Sequence, residues 1–398
     1  MFASIEVKNV WQMVVRSEDS FGKPTVLITT VIEPLKSDPS KLLSYQTFED
    51  AANLTCSPSY GFLAGAPLIT ATMQLDMGFM VRALREGYFV VSSDYEGLNS
   101  AFTAGWRSGK AVLDSIRAVL GSEDVTGVKK DAKVALWGYS GGSLASGWAA
   151  SLQPTYAPEL NKNLIGAALG GFVTNITAVA EYTDGQKYAA LIPNAFHGLA
   201  NEYPTFKQKL EENVNPEYSE LFDQGSQLCL IPALPAFENV TFLSGSNPVI
   251  PVGFGLLEDE EIREVVDSNS ILNLNKTYLP EIPIFVYHGT FDLVVPIKDV
   301  RKTYKNWCEW GIKSFEFTED LFHGHKSEQF YGSLAAWTWL EDRFKGNEPI
   351  KGCKNTKRIA NYLYPNITAT TRSYFDELFS KLITIGFGPD EQGFMADI

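Results

Sequence analysis

The stretch DAKVALWGYSGGSLASGWAASL, residues 131 to 152, does most to limit what this chain can become. An apolar run from Val134 to Trp137 stops at Gly138-Tyr139-Ser140-Gly141-Gly142. A helix-compatible run follows, with Leu144, Trp148 and Leu152 one turn apart on one face. The order is strand, sharp turn, helix, with a serine at the apex. In that setting G-x-S-x-G is the pattern of a nucleophile elbow. The glycines answer a steric demand: strand and helix come too close for side chains, and the apex residue sits in a strained conformation. Without the flanking strand and helix, the same residues would read as an ordinary Gly/Ser loop.

An elbow serine needs an acid and a base, and in this class of fold they follow it in the order Ser, Asp or Glu, His. The histidines are His197, His288, His323 and His325. EIPIFVYHGTFDLVVP, residues 281 to 296, supplies the acid. Residues 282–287 predict a short buried strand, and Asp292 lies just beyond it, where parallel sheets present functional groups. His323 and His325 remain downstream, between a strand-like segment at 313–318 and a helix expected from about 326 to 344. His288 shares the strand end with the acid and reads as structural; His197, in a segment rich in Pro, Asn and Gly, reads as an ordinary polar residue. His323-Gly324-His325 has the spacing of a metal pair, but zinc needs three or four ligands and no third histidine is near. No metal and no cofactor is therefore expected. Asp292 alone would pass for a turn aspartate. The joint order Ser140, Asp292, His325 gives it weight.

The segments WQMVVRSEDSFG, EGYFVVSSDYEG, KVALWGYSGGSLASGWAASLQPTYAPEL, IGAALGGFVTN, IPIFVYHGTFDLVVP and KNWCEWGIKSFEF resemble the secretory lipases of Candida-type yeasts, the Candida antarctica lipase A family. The resemblance runs in one order over nearly the whole chain. It implies an α/β-hydrolase fold, with Ser140 as nucleophile, Asp292 as triad acid and His325 as base. His325 is preferred to His323 because the family histidine is followed seven residues later by a glycine, here Gly332. An aspartate ending a strand and the amide after the nucleophile form the family's oxyanion hole, which implies Asp94 in VVSSDYEG and Gly141. There is no HGGG-type oxyanion loop. The cysteines Cys56, Cys229, Cys308 and Cys353 allow three pairings and form no C-x-x-C; the resemblance implies Cys56–Cys229 and Cys308–Cys353. Members of the family are exported behind a signal peptide, while Met1-Phe2-Ala3 opens no apolar core segment or cleavage-site pattern.

A chain of 398 residues that is 45% hydrophobic can bury a large core. No low-complexity linker, long charge run or internal repeat divides it, so one α/β core with an inserted helical cap is expected. The core would comprise residues 1–172 and 271–398, with strands at 26–32, 89–93, 134–138, 164–169, 283–287 and 314–318. The cap would span 173–270, where Pro193, Pro204, Pro216, Pro232 and Pro235 punctuate helical pieces. A net charge of −14 argues against nucleic acid, which needs a basic patch, and suits an acidic extracellular setting. No apolar run is long enough for a transmembrane helix. GWRSGK at 105–110 misses the P-loop spacing and lacks its Ser or Thr. Trp307/Trp310 and Trp337/Trp339 read as core. Sequons at Asn53, Asn175, Asn239, Asn275 and Asn366, with an even cysteine count, favour secretion.

The expected activity is hydrolysis of lipid esters, triacylglycerols above all, by a monomer acting at a lipid–water interface. A soluble carboxylesterase or acyltransferase would use the same residues. An inactive binding relative would not need an intact triad.

Overall fold

The computed structural model describes residues 6–384. Among them, nine strands form one sheet in the order β1-β2-β4-β3-β5-β6-β7-β8-β9. These are β1 (Asn9–Glu18), β2 (Pro24–Glu33), β3 (Asp38–Gln46), β4 (Tyr88–Ser93), β5 (Lys133–Tyr139), β6 (Leu164–Gly170), β7 (Ile284–Gly289), β8 (Ser314–Asp320) and β9 (Gly352–Arg358). β1 with β2 and β2 with β4 are antiparallel; every other neighbouring pair is parallel. This is the mostly parallel sheet of an α/β-hydrolase.

The middle strands are buried along almost their whole length. Burial on both faces is why they read as continuous apolar runs rather than alternating ones. Successive side chains still divide between two cores. Leu136 faces a layer built on helices Gly105–Leu120, Gly141–Tyr156 and Ile297–Trp310. Trp137 faces the opposite layer, built on helices Ala71–Arg85, His325–Phe344 and Ala369–Thr384. Trp307, Trp337 and Trp339 are all buried in these layers.

Three strands were not expected from sequence. β1 and β9 are edge strands, and β9 (GCKNTKR) carries only half-buried or exposed side chains. Charged residues on an edge discourage pairing with another chain, and they also erase the apolar signal by which strands are recognised. A disulfide from Cys353 on β9 to Cys308 ties this polar edge to the helix beside it. With the two cysteines 45 positions apart in sequence, the double variant Cys308→Ser/Cys353→Ser should lose about 4 kcal/mol of stability. Denaturant unfolding under non-reducing conditions measures this, and a shift well under ~1 kcal/mol would mean that the edge needs no tether.

The third unexpected strand, β3, matters more. Its parallel pairing with both β4 and β5 puts the chain leaving β3 directly beside the turn after β5.

The crossover from β6 to β7 occupies residues 171–283 and contains the segment 173–270 expected as a cap. It holds helices Ile176–Thr183, Leu191–Glu202, Pro204–Asn213, Leu230–Phe237 and Glu260–Ser268. Pro204 stands at a helix start, where its missing N–H costs nothing. Phe206, Phe222, Phe237, Phe242 and Ile262 form an apolar cluster that belongs mainly to this crossover. The second disulfide, Cys56–Cys229, ties the N-cap of helix Leu230–Phe237 to the segment that follows β3.

Candidate active site

Ser140 leaves β5 and starts helix Gly141–Tyr156 with φ +51° and ψ −122°, a region that an L-residue occupies only when its surroundings force it. The flanking glycines show the forcing. A Cβ on Gly138 would lie 2.2 Å from the Gly142 carbonyl oxygen, and one on Gly142 would lie 2.0 Å from that of Gln46. Strand, turn and β3 meet backbone to backbone there. The result is a serine hydroxyl held out from the sheet's carboxyl end.

Asp292 sits in the loop after β7, and its carboxyl is fixed at both oxygens. Oδ1 accepts from the amides of Val294 (2.9 Å) and Val295 (2.7 Å). Oδ2 accepts from Nδ1 of His325 at 2.7 Å. Burial opposes ionisation of Asp292, but His325, His288 and the Val295 amide outweigh it and hold the carboxyl below its usual range. His325 is the first residue of helix His325–Phe344, one earlier than expected. Its Nε2 lies 2.8 Å from Ser140 Oγ. Nδ1 donating to a carboxylate leaves Nε2 as the acceptor, the tautomer that can take a hydroxyl proton. The structure therefore brings Ser140, Asp292 and His325 into one hydrogen-bonded line.

The other histidines lie off that line. His323 turns into the interior and bonds Asp320 Oδ2 at 2.8 Å through Nδ1, with its ring stacked on Tyr331. Asp320, His323 and Glu328 place ligand atoms within 4.8 Å of one another, a grouping that counting histidines alone did not reveal. Hydrogen bonds tie all three residues into the surrounding structure. Asp320 also accepts from the amides of Phe322 and Asn361, and Asn361 Nδ2 donates to Glu328 at 2.6 Å. Together they brace the loop that delivers His325. His288 is fully buried on β7; Nδ1 accepts from the Phe172 amide and Nε2 donates to the Val295 carbonyl. His197 is on helix Leu191–Glu202, and Nε2 bonds the Phe222 carbonyl at 2.9 Å.

Asp94, the aspartate expected at the oxyanion hole, is not brought to Ser140. Its carboxyl accepts from the Ser59 amide (2.8 Å) and hydroxyl (2.5 Å), and it lines neither cavity that reaches the serine. The reason is topological. Asp94 follows β4, and β3 lies between β4 and β5. The residue that reaches the elbow follows β3 instead, and it is Asp50.

Asp50 lines both cavities at Ser140. Its Oδ1 lies 1.8 Å from where a Cβ on Gly141 would stand, so only glycine fits opposite it. The residue has φ +50°, a conformation uncommon for any residue but glycine, and its carbonyl accepts from Asn194 Nδ2 at 2.8 Å. Oδ1 is buried with no hydrogen-bond partner among the described residues. Burial raises the carboxyl to about 7 even though the nearby His325 charge lowers it. When protonated, this carboxyl can donate a hydrogen bond beside the start of helix Gly141–Tyr156. Glu49 and Glu96 are also fully buried; burial first, and then the nearby carboxylates (Asp94 and Asp50 for Glu49; Glu49, Asp50 and Asp94 for Glu96), raise both carboxyls. Burial raises Asp94 to about 6.

Two cavities diverge from Ser140. One is lined by Leu144, Ile176, Ala180, Phe196 and Val266, with Asp50 the one ionisable side chain among its described lining. The other reaches past His325 to Lys187, Glu238, Lys326 and Leu234. His325 lines only the second. Of the sequon asparagines, Asn239, Asn275 and Asn366 are exposed, while Asn53 and Asn175 are half-buried and cap helical turns with their side chains. Among the described residues, no helix is long and apolar enough to cross a membrane.

The sequence matches the family described as Secretory lipase over residues 63–352. It is 57% identical to Lipase 1 of Candida albicans over 389 residues, which cover 98% of this chain and 83% of that protein. Lipase 6 of the same yeast is 51% identical over 388 residues, with coverage of 98% and 84%. A solved structure of Candida antarctica lipase A superposes with a TM-score of 0.84 at 28% identity, over 96% of this chain and 88% of that one. With the elbow, the sheet and these matches in agreement, the chain belongs to the secretory lipase family.

Proposed function

We propose that the protein is a secreted triacylglycerol lipase that cleaves lipid carboxylic esters through an acyl-enzyme. The observation that carries the proposal is the line from Ser140 Oγ to His325 Nε2 (2.8 Å) and from His325 Nδ1 to Asp292 (2.7 Å), set where two largely apolar cavities meet. Ser140 Oγ attacks the ester carbonyl while His325 Nε2 takes its proton. Asp292 keeps the imidazole in the correct tautomer and stabilises the imidazolium. The carbonyl oxygen, now an oxyanion, is held by the Gly141 amide and the Asp50 carboxyl. The C–O bond then breaks, and His325 gives its proton to the departing alcohol. Water enters and attacks the acyl-enzyme, His325 takes its proton, and the fatty acid leaves as Ser140 regains a hydrogen.

Which cavity takes which half of the substrate follows from the proton. The leaving alcohol must lie beside His325, so it occupies the cavity that His325 lines. The acyl chain occupies the other, whose apolar lining suits it. Secretion is supported by the family and by the two disulfides, which belong to oxidising compartments. The partner is a lipid ester met transiently at its interface with water, and a monomer suffices, since the triad comes from one chain.

Purified protein should hydrolyse an emulsion of long-chain triacylglycerol at a rate comparable to or above that on a dissolved short-chain ester. Turnover of the dissolved ester alone would make it a carboxylesterase, and transfer to added alcohol in preference to water would make it an acyltransferase.

A further inference from the structure

The arm assigned to the acyl chain reaches three side chains from separate elements of the crossover. Thr177 is on helix Ile176–Thr183, Leu257 on the turn Gly253–Glu258 and Val266 on helix Glu260–Ser268. The same three side chains also line a separate outer cavity, whose other walls include Glu181, Glu258, Arg263 and Asp267. A wall one side chain thick thus divides an apolar tube from a charged vestibule. Leu257 and Val266 are buried and Thr177 is half-buried, so the wall is packed rather than a loose flap.

We infer that Thr177, Leu257 and Val266 form the end wall of the acyl site and set the longest fatty acyl chain that the enzyme accepts in extended form. The inference rests on the assignment of the acyl arm above. Each methylene kept inside the arm leaves water, worth roughly fourfold in binding. A terminus that passes the wall gains nothing among the charged groups of the vestibule, and it cannot pass without displacing Leu257. Selectivity should therefore break sharply at one chain length instead of drifting evenly.

The test uses p-nitrophenyl butyrate, laurate and stearate in one detergent, with kcat/KM expressed as ratios within each protein so that losses of active fraction cancel. Leu257→Ala joins the two cavities and should raise the stearate-to-laurate ratio roughly tenfold. Val266→Trp fills the end of the arm and should lower both the stearate and laurate ratios to butyrate. Opposite shifts support the wall. Unchanged ratios in both variants, including uniform losses at every chain length, overturn it. Failure of the unaltered protein to turn over butyrate would overturn the hydrolase reading instead, which keeps the two outcomes apart.

Discussion

Ser140→Ala should lose ester hydrolysis by a factor on the order of 10⁵ to 10⁶, because members of a triad act as a unit and little remains once one is gone. Its unfolding midpoint should stay at or above that of the parent, since removing one hydroxyl from a residue held at φ +51° costs no packing. His325→Ala should be equally inactive. His323→Ala separates the two histidines of the same loop. It breaks the bond to Asp320 and the stack on Tyr331, so it should lower stability yet keep measurable turnover. An inactive His323→Ala that still folds, beside an active His325→Ala, would remove Ser140–His325–Asp292 as the reacting line.

The second large effect belongs to Asp50. If its protonated carboxyl donates to the oxyanion, Asp50→Ala should cost ~10² to 10³ in kcat. Asp50→Asn keeps a donor in the same place and should retain more. The pH profile is the sharper reading. The carboxyl holds its proton below about 7, so in the parent this donor is lost as pH rises through that value. The amide of Asp50→Asn does not titrate, and its kcat should not fall from this cause. The same shift carries a stability consequence. A carboxyl raised from 3.8 to about 7 by burial favours the folded state fully below the unfolded value and loses that favour as pH rises toward the folded one. Asp50→Asn should therefore gain stability over the parent in alkali more than in acid. Asn and Ala variants with the same kcat and the same pH profile would leave the Gly141 amide as the donor.

Asp50 also marks where sequence stopped being legible. The elbow could be read because glycine spacing, a preceding apolar run and a following helical run all point to one local geometry. Asp292 and His325 could be ordered because β7 and β8 are buried strands whose ends are sharp in sequence. The oxyanion aspartate depends on which strand lies beside β5, and adjacency in a sheet is a long-range property. DPSKLLSYQ opens with turn-forming residues that hide β3, so the family pattern of an aspartate ending a strand points to the clearer strand β4 and Asp94. A signal was present in YQTFEDAA, where an acid follows a short apolar stretch upstream of Cys56, but nothing local tied it to the elbow. β9 stayed hidden for the opposite reason: its edge chemistry is polar, and only the sheet and the Cys308–Cys353 bond identify it as a strand. Within the crossover, Pro204 and Pro216 begin helical pieces, as their placement in the sequence suggests. The way the crossover's side chains divide one cavity from the next was not legible.

The carboxyls of Glu49, Asp50, Asp94 and Glu96 also make the chain a proton sponge as it folds. In the unfolded chain these groups have released their protons well before neutrality; in the folded protein burial keeps them protonated to higher pH. Folding near neutrality therefore draws protons from solution, and a weakly buffered sample turns alkaline as it refolds. These shifts predict that near neutrality the folded protein carries less negative charge than the formal −14 of its sequence, which a titration of the native protein measures. Acid, which unfolds many proteins by neutralising carboxylates paired in the native state, here supplies what this cluster takes up.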